Sequence, residues 1–306
     1  MAGRVLGGRH LFPTRASMAG LLQNQRFPRS NRYNPEWLLE NPMGAHPLWL
    51  TEWLTEHLDL QHGMRVLDLG CGKAKSSIFL ALEFGVEVWG VDLWTGADEN
   101  LVRVEDAGVS DLVLPIHADA RLLPFAGEFF DVVIGIDSFN YFATDDLYLN
   151  YLAHFVRNDG VFAFVSAGLR QEFEHGVPDH LSRLWVGEFW TLHTSEWWRE
   201  HVGKTGLFNI AHAGDVPDGW KLWSDWAAAT DAASWYRDAL KADGGRYLGY
   251  VGLVARRVPG QLLAEHAWPA GLPFSESRYV PHSVLRPEQP EPTGLRAMIP
   301  RFRKDR

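Results

Sequence analysis

A glycine-containing turn near residue 70 follows a short apolar segment and precedes a segment with helical character. The apolar segment is 66–69, the turn contains Gly70 and Gly72, and the helical stretch is 76–84. Glycine lets the backbone pass close to a ligand, and the first turn of a helix offers free N–H groups. This arrangement predicts a small-molecule site where the strand gives way to the helix.

Two common phosphate-binding patterns occupy the same position, and the residues match neither of them. The dinucleotide pattern needs a third glycine three residues after Gly72, where this sequence has Lys75. The P-loop pattern ends in Gly-Lys followed by Ser or Thr, whereas Ala74 follows Lys73 here. These differences disfavour NAD and ATP as the ligand.

Acidic residues end two neighbouring predicted strands beside the turn. Asp68 lies two residues before Gly70, and Asp92 closes the next strand. In a doubly wound sheet both side chains lie at the edge where ligands bind, and the second acid is placed to accept the hydroxyl groups of a ribose. A nucleoside ligand without phosphates therefore fits this pattern.

The segment 66–74 resembles motif I of the class I methyltransferases that use S-adenosylmethionine, and Asp92 resembles their ribose-binding acid. The resemblance extends over residues 45–257 and is nearest to the small-molecule type 11 group, also called cyclopropane-fatty-acid-synthase-like. The sequence departs from the family pattern in two ways: Ala74 replaces its third glycine, and Asn140 and Tyr141 stand where many members carry a histidine. The resemblance implies S-adenosylmethionine as the cofactor, with contacts from Asp68, Gly70, Gly72, Asp92, Leu93, Asp119 and Ala120.

The candidate catalytic residues follow the fourth predicted strand, at the edge where a methyl group would meet its acceptor. Asp137 could orient or deprotonate a substrate amine or hydroxyl, and Tyr141 is its neighbour in that role. A structural interpretation stays equally open, in which Asp137 caps the next turn and Tyr141 packs. The spacing of His, Asp and Glu predicts no metal site, and Cys71 is interpreted as a packing residue.

Strands and helices alternate from residue 65 to residue 165, which predicts a parallel sheet covered on both faces. The strands are predicted at 65–69, 86–91, 112–117, 130–136, 160–165, 208–213 and 247–255, and the helices at 46–60, 76–84, 100–107, 145–156 and 195–204, with one helix or two within 217–236. We therefore predict an α/β fold with a doubly wound, mostly parallel seven-stranded sheet of the Rossmann-like methyltransferase type, an N-terminal helix and a Trp-rich helical lid.

Three regions are predicted along the chain. Residues 1–32 are expected to form a flexible basic leader, residues 33–258 the methyltransferase domain with lid insertions at 167–207 and 214–245, and residues 259–306 a proline-rich charged tail. The lid contains eight of the 14 tryptophans, which could form an aromatic cage for a substrate or pack the lid onto the sheet: Trp185, Trp190, Trp197, Trp198, Trp220, Trp223, Trp226 and Trp235.

The charge distribution limits the classes of partner. Net charge is −9, and the six arginines of residues 1–35, which include no acid, leave −15 on the remainder. A body this acidic repels phosphate backbones, which disfavours nucleic acid. No segment approaches the roughly 20 apolar residues of a membrane span. We expect a cytoplasmic protein with a small-molecule substrate and no membrane partner, and a homodimer is left open.

The expected activity is transfer of a methyl group from S-adenosylmethionine to an N, O or C nucleophile by in-line displacement. Two alternatives stay open at this point. One is a protein that binds S-adenosylmethionine without transferase activity. The other is a different reaction of S-adenosylmethionine on the same fold, such as lipid cyclopropanation.

Overall fold

A seven-stranded sheet forms the centre of the protein, whose computed structural model describes residues 20, 22–261 and 263. The strand order across the sheet is β3-β2-β1-β4-β5-β7-β6. The strands are β1 (Arg65–Leu69), β2 (Glu87–Asp92), β3 (Val113–His117), β4 (Phe130–Ile136), β5 (Val156–Leu169), β6 (Phe208–Asp215) and β7 (Leu248–Arg257).

Strands β1 to β5 are parallel, and β7 lies antiparallel between β5 and β6. The sheet is thus mostly parallel, and the predicted fold class is confirmed. The strand order reverses between β1 and β4, whose first residue pair in register is Val66 and Val132. Ligands of open α/β sheets bind at the carboxyl ends of the strands beside such a reversal.

Helices cover both faces of the sheet. They are α1 (Pro35–Leu39), α2 (Pro47–Thr55), α3 (Lys75–Phe84), α4 (Ala97–Asp106), α5 (Tyr148–Ala153), α6 (Ser195–Gly203), α7 (Gly219–Ala229) and α8 (Ser234–Asp243). The helix predicted at 145–156 is shorter than expected because β5 already begins at Val156. The region 217–236 gives two helices, α7 and the beginning of α8. No helix of the described part of the chain is long and apolar enough to cross a membrane.

Helix α2 is the predicted N-terminal helix, and it packs directly on the sheet. Trp49 and Trp53 of this helix are buried. A Cβ atom at Gly252 of β7 would lie 2.3 Å from the ring of Trp53, so glycine is what lets the indole ring lie on the strand. This close approach fixes α2 beside the carboxyl end of the sheet, where the chain enters the body of the protein.

Residues 22–32, which the sequence assigns to the basic leader, contact α2. Phe27 is fully buried and its ring lies 6.0 Å from the ring of Trp49. The carboxylate of Glu52 accepts hydrogen bonds from the backbone N–H groups of Arg29 and Ser30. The rest of the predicted leader, residues 1–19 and 21, and most of the predicted 259–306 tail lie outside the described residues.

Candidate functional site

A cavity of about 330 Å³ opens at the carboxyl ends of β1, β2 and β4. The glycine turn forms one part of its wall, and the chain before α2 and helix α7 contribute other parts. Most of the predicted site residues line this cavity: Gly70, Gly72, Asp92, Leu93, Asp119, Ala120, Asp137 and Tyr141. The structure therefore brings together side chains from four separate regions of the sequence.

The glycines of the turn are required by backbone conformation and by close packing. Gly70 and Gly72 have φ angles of +79° and +54°, in the left-handed region that L side chains disfavour. A Cβ atom at Gly70 would also lie 2.4 Å from the Cβ of Ser138. Ala74, at the position of the family's third glycine, adopts φ +57° and carries the strain that glycine would avoid.

Asp92 lines the cavity with a carboxylate held in one orientation by the backbone. Its Oδ2 accepts a hydrogen bond from the N–H of Gly72 at 2.9 Å. Its Oδ1 accepts from the N–H groups of Trp94 and Thr95 at 2.8 and 2.7 Å. A carboxylate has about four acceptor sites, so it retains capacity for a ligand hydroxyl.

Asp119 and Ala120 lie in the turn after β3, and Asp119 is paired with a nearby cation. Arg121 donates to the two carboxylate oxygens of Asp119 at 2.9 and 2.6 Å. Burial raises the pKa of Asp119, but the hydrogen bonds and charge of Arg121 outweigh this effect and hold that pKa below its usual value. The carboxylate is therefore ionised and fixed at the edge of the cavity.

Asp68 is the predicted cofactor residue that does not line the cavity. It is fully buried behind the glycine turn, and its Oδ2 accepts hydrogen bonds from the hydroxyl groups of Ser76 and Ser77, each at 2.6 Å. Its Oδ1 has no hydrogen-bond partner among the described residues. Burial raises the pKa of Asp68 to about 6, against the lowering effect of the two serine hydroxyls. In this arrangement Asp68 contacts the first turn of α3.

Asp137 lines the cavity at the end of β4, with a φ angle of +53°. Its Oδ2 accepts from the N–H of Ala45 at 2.8 Å, and its Oδ1 accepts from the N–H of Ala167 at 2.9 Å. Burial raises the pKa of Asp137 to about 6, although both hydrogen bonds favour the ionised form. Tyr141 also lines the cavity, with the centre of its ring 5.6 Å from that of Trp94.

A segment that we call the strap, residues 38–46, forms another part of the cavity wall, and three contacts hold it. Lys75 donates from Nζ to the carbonyl oxygens of Leu38 and Glu40. Asp137 binds the N–H of Ala45, as described above. Trp226 of α7 donates from Nε1 to the carbonyl oxygen of Gly44 at 2.9 Å. These contacts position the strap over the cavity.

Sequence reasoning did not assign a role to Lys75 or to the strap. The sequence does contain an indication for Lys75. A cation at the first position of a helix interacts unfavourably with the helix dipole, so a lysine there suggests a role other than stabilising the helix. Of the eight lid tryptophans, Trp226 lines the cavity, while Trp185, Trp198 and Trp223 are buried elsewhere and Trp190 is 65% exposed. This distribution favours packing over an aromatic cage. No cluster of three or more His, Cys, Asp or Glu suited to a metal ion occurs within the described ranges.

Comparison with known proteins matches the central part of the chain. Residues 66–160 fit a protein-family model described as a methyltransferase domain. Methyltransferase GfsG of Streptomyces halstedii is 33% identical over 164 residues, which are 53% of this chain and 57% of that protein. The 27-O-demethylrifamycin SV methyltransferase of Amycolatopsis mediterranei is 34% identical over 96 residues, which are 30% of this chain and 34% of that protein. The matches thus span at most a little over half of these relatives.

Solved structures share the fold. The geranyl diphosphate C-methyltransferase from Streptomyces coelicolor A3(2), in complex with Mg²⁺, geranyl diphosphate and S-adenosyl-L-homocysteine, superposes with a TM-score of 0.55 at 19% identity. The superposition covers 68% of this chain and 78% of that one. The cavity found here suits a nucleoside, since a fixed carboxylate ends β2 and a glycine turn leaves room beside it. The matched domain, the methyltransferase relatives and the shared fold together show a methyltransferase domain at residues 66–160 within a fold of the Rossmann-like methyltransferase type.

Proposed function

We propose that the protein transfers the methyl group of S-adenosylmethionine to a hydroxyl oxygen of a small-molecule acceptor. The observation that carries this proposal is the cavity at the carboxyl edge of the sheet, where Asp92, Asp119 and Asp137 meet the glycine turn. The sulfonium donor is already activated. The protein therefore needs mainly to align the acceptor oxygen with the methyl group and to keep water out.

Each part of the cofactor has a proposed partner in the cavity. Asp92 would accept a hydrogen bond from a ribose hydroxyl with its remaining acceptor site, since three backbone N–H groups already fix its carboxylate. Asp119 and Ala120 would contact the adenine, and Leu93 would pack on it. Gly70 and Gly72 would allow close approach of the amino-acid part. Asp68 would act indirectly, by holding the serine hydroxyls at the beginning of α3.

Asp137 is the proposed proton acceptor. It lines the cavity and is partly buried, and this burial raises its pKa to about 6, so it is ionised at neutral pH and close to the range in which a general base works well. Tyr141 would orient the acceptor. The choice of oxygen is supported by the rifamycin relative, whose name places its methyl transfer on an oxygen. The reacting oxygen would lose its proton to Asp137 as it forms the bond to the methyl carbon, and the sulfur would leave as a neutral thioether.

The test begins with cofactor binding and ends with transfer. Calorimetric titration with S-adenosylhomocysteine should give a saturable heat, and a ¹⁴C-methyl-labelled donor should label a phenol or alcohol from an acceptor panel that also contains amines. Asp137→Asn is the matched variant, expected to bind S-adenosylhomocysteine but to transfer little label. The absence of binding would overturn the proposal. Binding with no transfer to any acceptor would favour a non-catalytic cofactor-binding protein.

Three further properties stay predictions from the sequence. They are the homodimer, the cytoplasmic location and the exclusion of nucleic acid, the last supported by the net charge of −9. Light scattering on a sizing column would measure the oligomeric state. A shift of a labelled duplex on a native gel would contradict the exclusion of nucleic acid.

A further inference from the structure

Lys75 carries an ammonium group that is buried beside the cavity. It is the first residue of α3, its exposed fraction is 7%, and it lines the cavity. Its Nζ donates to the carbonyl oxygens of Leu38 and Glu40 at 2.8 and 2.6 Å, and it lies 5.7 Å from the centre of the Trp37 ring. Burial of a charged group is costly unless other groups compensate it.

Lys75 differs from the other cations of the cavity because no carboxylate of the described residues lies within ion-pair distance of its ammonium, although the nearby charge of Glu40 favours the charged form. The Nζ of Lys73 lies 3.3 Å from Oε2 of Glu99. The Nη2 of Arg121 lies 2.6 Å from Oδ2 of Asp119. Among the ion pairs formed within residues 22–261, none includes Lys75. Burial lowers the pKa of this lysine to about 8, which agrees with a charge that carbonyl groups compensate only in part.

One N–H of the Lys75 ammonium remains without a partner among these carbonyl groups, and an anionic ligand would suit it. An ammonium has three N–H donors, and the two carbonyl groups account for two of them. The adjacent first turn of α3 also favours negative charge. With the ribose at Asp92, the amino-acid part of the cofactor must extend along Gly70 and Gly72 toward this end of the cavity. That part ends in a carboxylate.

We propose that Lys75 binds the amino-acid carboxylate of the cofactor and thereby couples cofactor binding to the strap. This inference rests on the proposed function and adds the group that recognises one end of the cofactor. The same ammonium group of Lys75 would bind the cofactor carboxylate and the carbonyl oxygens of Leu38 and Glu40. Arrival of the carboxylate compensates the buried charge, so the contact between Lys75 and the strap becomes more stable when the cofactor is bound.

Two ligands separate this role from general cofactor binding. S-adenosylhomocysteine carries the carboxylate, whereas 5′-methylthioadenosine keeps the adenine, ribose and sulfur but lacks the amino-acid part. Lys75→Met removes the charge and keeps the length of the side chain. A hydrogen bond to a charged group contributes strongly to binding, so Lys75→Met should lower the affinity for S-adenosylhomocysteine by roughly 10- to 100-fold. Its affinity for 5′-methylthioadenosine should change by less than about 3-fold. Calorimetry measures both affinities.

Lys73→Met is the matched control, since Lys73 is a neighbouring cation of the same turn that already has Glu99 as a partner. Lys73→Met should change the affinities for S-adenosylhomocysteine and for 5′-methylthioadenosine by the same factor. Lys75→Arg should recover part of the selectivity for the ligand with a carboxylate. Hydrogen exchange at residues 38–46 is the second measurement. In the wild-type protein S-adenosylhomocysteine should slow exchange more than 5′-methylthioadenosine does, and Lys75→Met should remove that difference.

The outcomes distinguish the two proposals. If the wild-type protein binds neither ligand, the proposed function fails. If it binds both and Lys75→Met weakens them equally, Lys75 only maintains the shape of the cavity and this inference is overturned. Unchanged affinity for S-adenosylhomocysteine in Lys75→Met would overturn it as well.

Discussion

The carboxylate of Asp137 accepts a hydrogen bond from the backbone N–H of Ala45 at 2.8 Å, across 92 residues of sequence. Its other oxygen accepts from the N–H of Ala167 in β5. One side chain thus joins the end of β4, the strap and the neighbouring strand. A group proposed to accept a proton also holds a wall of the cavity, so its substitution should affect both stability and rate.

Asp137→Asn tests this double role. An amide keeps one acceptor oxygen but turns an NH₂ group toward one of the two backbone donors, which should lower the free energy of unfolding by about 1–3 kcal/mol. Loss of the proton acceptor should lower kcat by about 100-fold or more. Urea unfolding and initial rates with the acceptor found in the labelling screen measure the two effects. A variant with normal kcat would exclude Asp137 as the base.

Asp92→Ala should weaken binding of S-adenosylhomocysteine by about 100-fold, because it removes the proposed acceptor of the ribose hydroxyls. It should also lower the stability of the unliganded protein, since three backbone N–H groups lose their acceptor. Asp92→Asn, which retains one acceptor oxygen, is the control and should be affected less. Calorimetry and urea unfolding give the two quantities, and unchanged affinity in Asp92→Ala would contradict the assigned site.

Two glycines with the same backbone conformation allow a matched test of the turn. Gly70 and Gly63 have φ angles of +79° and +78°, but only at Gly70 would a Cβ atom meet another residue, Ser138. Alanine in this conformation costs about 1–2 kcal/mol at either position. In Gly70→Ala, overpacking against Ser138 should lower the free energy of unfolding by about 1–3 kcal/mol more. Equal losses in urea unfolding would show that close packing at Ser138 is not what requires glycine.

The buried carboxyl of Asp68 predicts a pH dependence of stability. Its pKa is raised by burial from 3.8 to about 6, so the unfolded chain ionises it at a lower pH than the folded protein does. The contribution of this group is therefore fully present below pH 3.8 and is lost as the pH rises through about 6.

Asp68→Asn removes this titration. The difference in free energy of unfolding, variant minus wild type, should rise by about 2 kcal/mol between about pH 4 and about pH 7. Asp137 titrates in both proteins, so its effect cancels in the difference. Urea unfolding at a series of pH values gives the curve. A difference that stays constant with pH would mean that Asp68 ionises normally in the folded protein.

The sequence predicts the regular part of the fold well because local patterns determine it. The apolar runs at 65–69 and 130–136 coincide with β1 and β4. β5 is longer than predicted, Val156–Leu169 against 160–165. Its beginning extends to Val156, which pairs with Phe130 of β4, and its end extends to Leu169 because residues 161–169 pair with the antiparallel β7. That pairing depends on a segment far away in the sequence, which no local pattern reports.

The residues of the candidate site also divide into those that a local sequence pattern predicts and those whose contacts only the folded chain shows. The positions of Gly70, Gly72 and Asp92 follow from the strand-turn-helix pattern, and the structure places them together. An acid at the end of a strand can face either a ligand or neighbouring hydroxyl groups, and only the folded chain shows that Asp68 contacts Ser76 and Ser77. The strap is held by contacts across 35 to 182 residues, which the sequence does not indicate.

The position of β7 has a consequence for synthesis of the protein. This strand comes last among the seven in sequence, but it lies between β5 and β6. Until residues 248–257 leave the ribosome, β5 has one unpaired edge and β6 has no neighbouring strand, so exposed backbone edges persist from the synthesis of β5 until β7 is complete. A premature stop codon just before residue 248 would therefore produce a chain with most of the cavity residues and a sheet split in two, which should aggregate rather than fold.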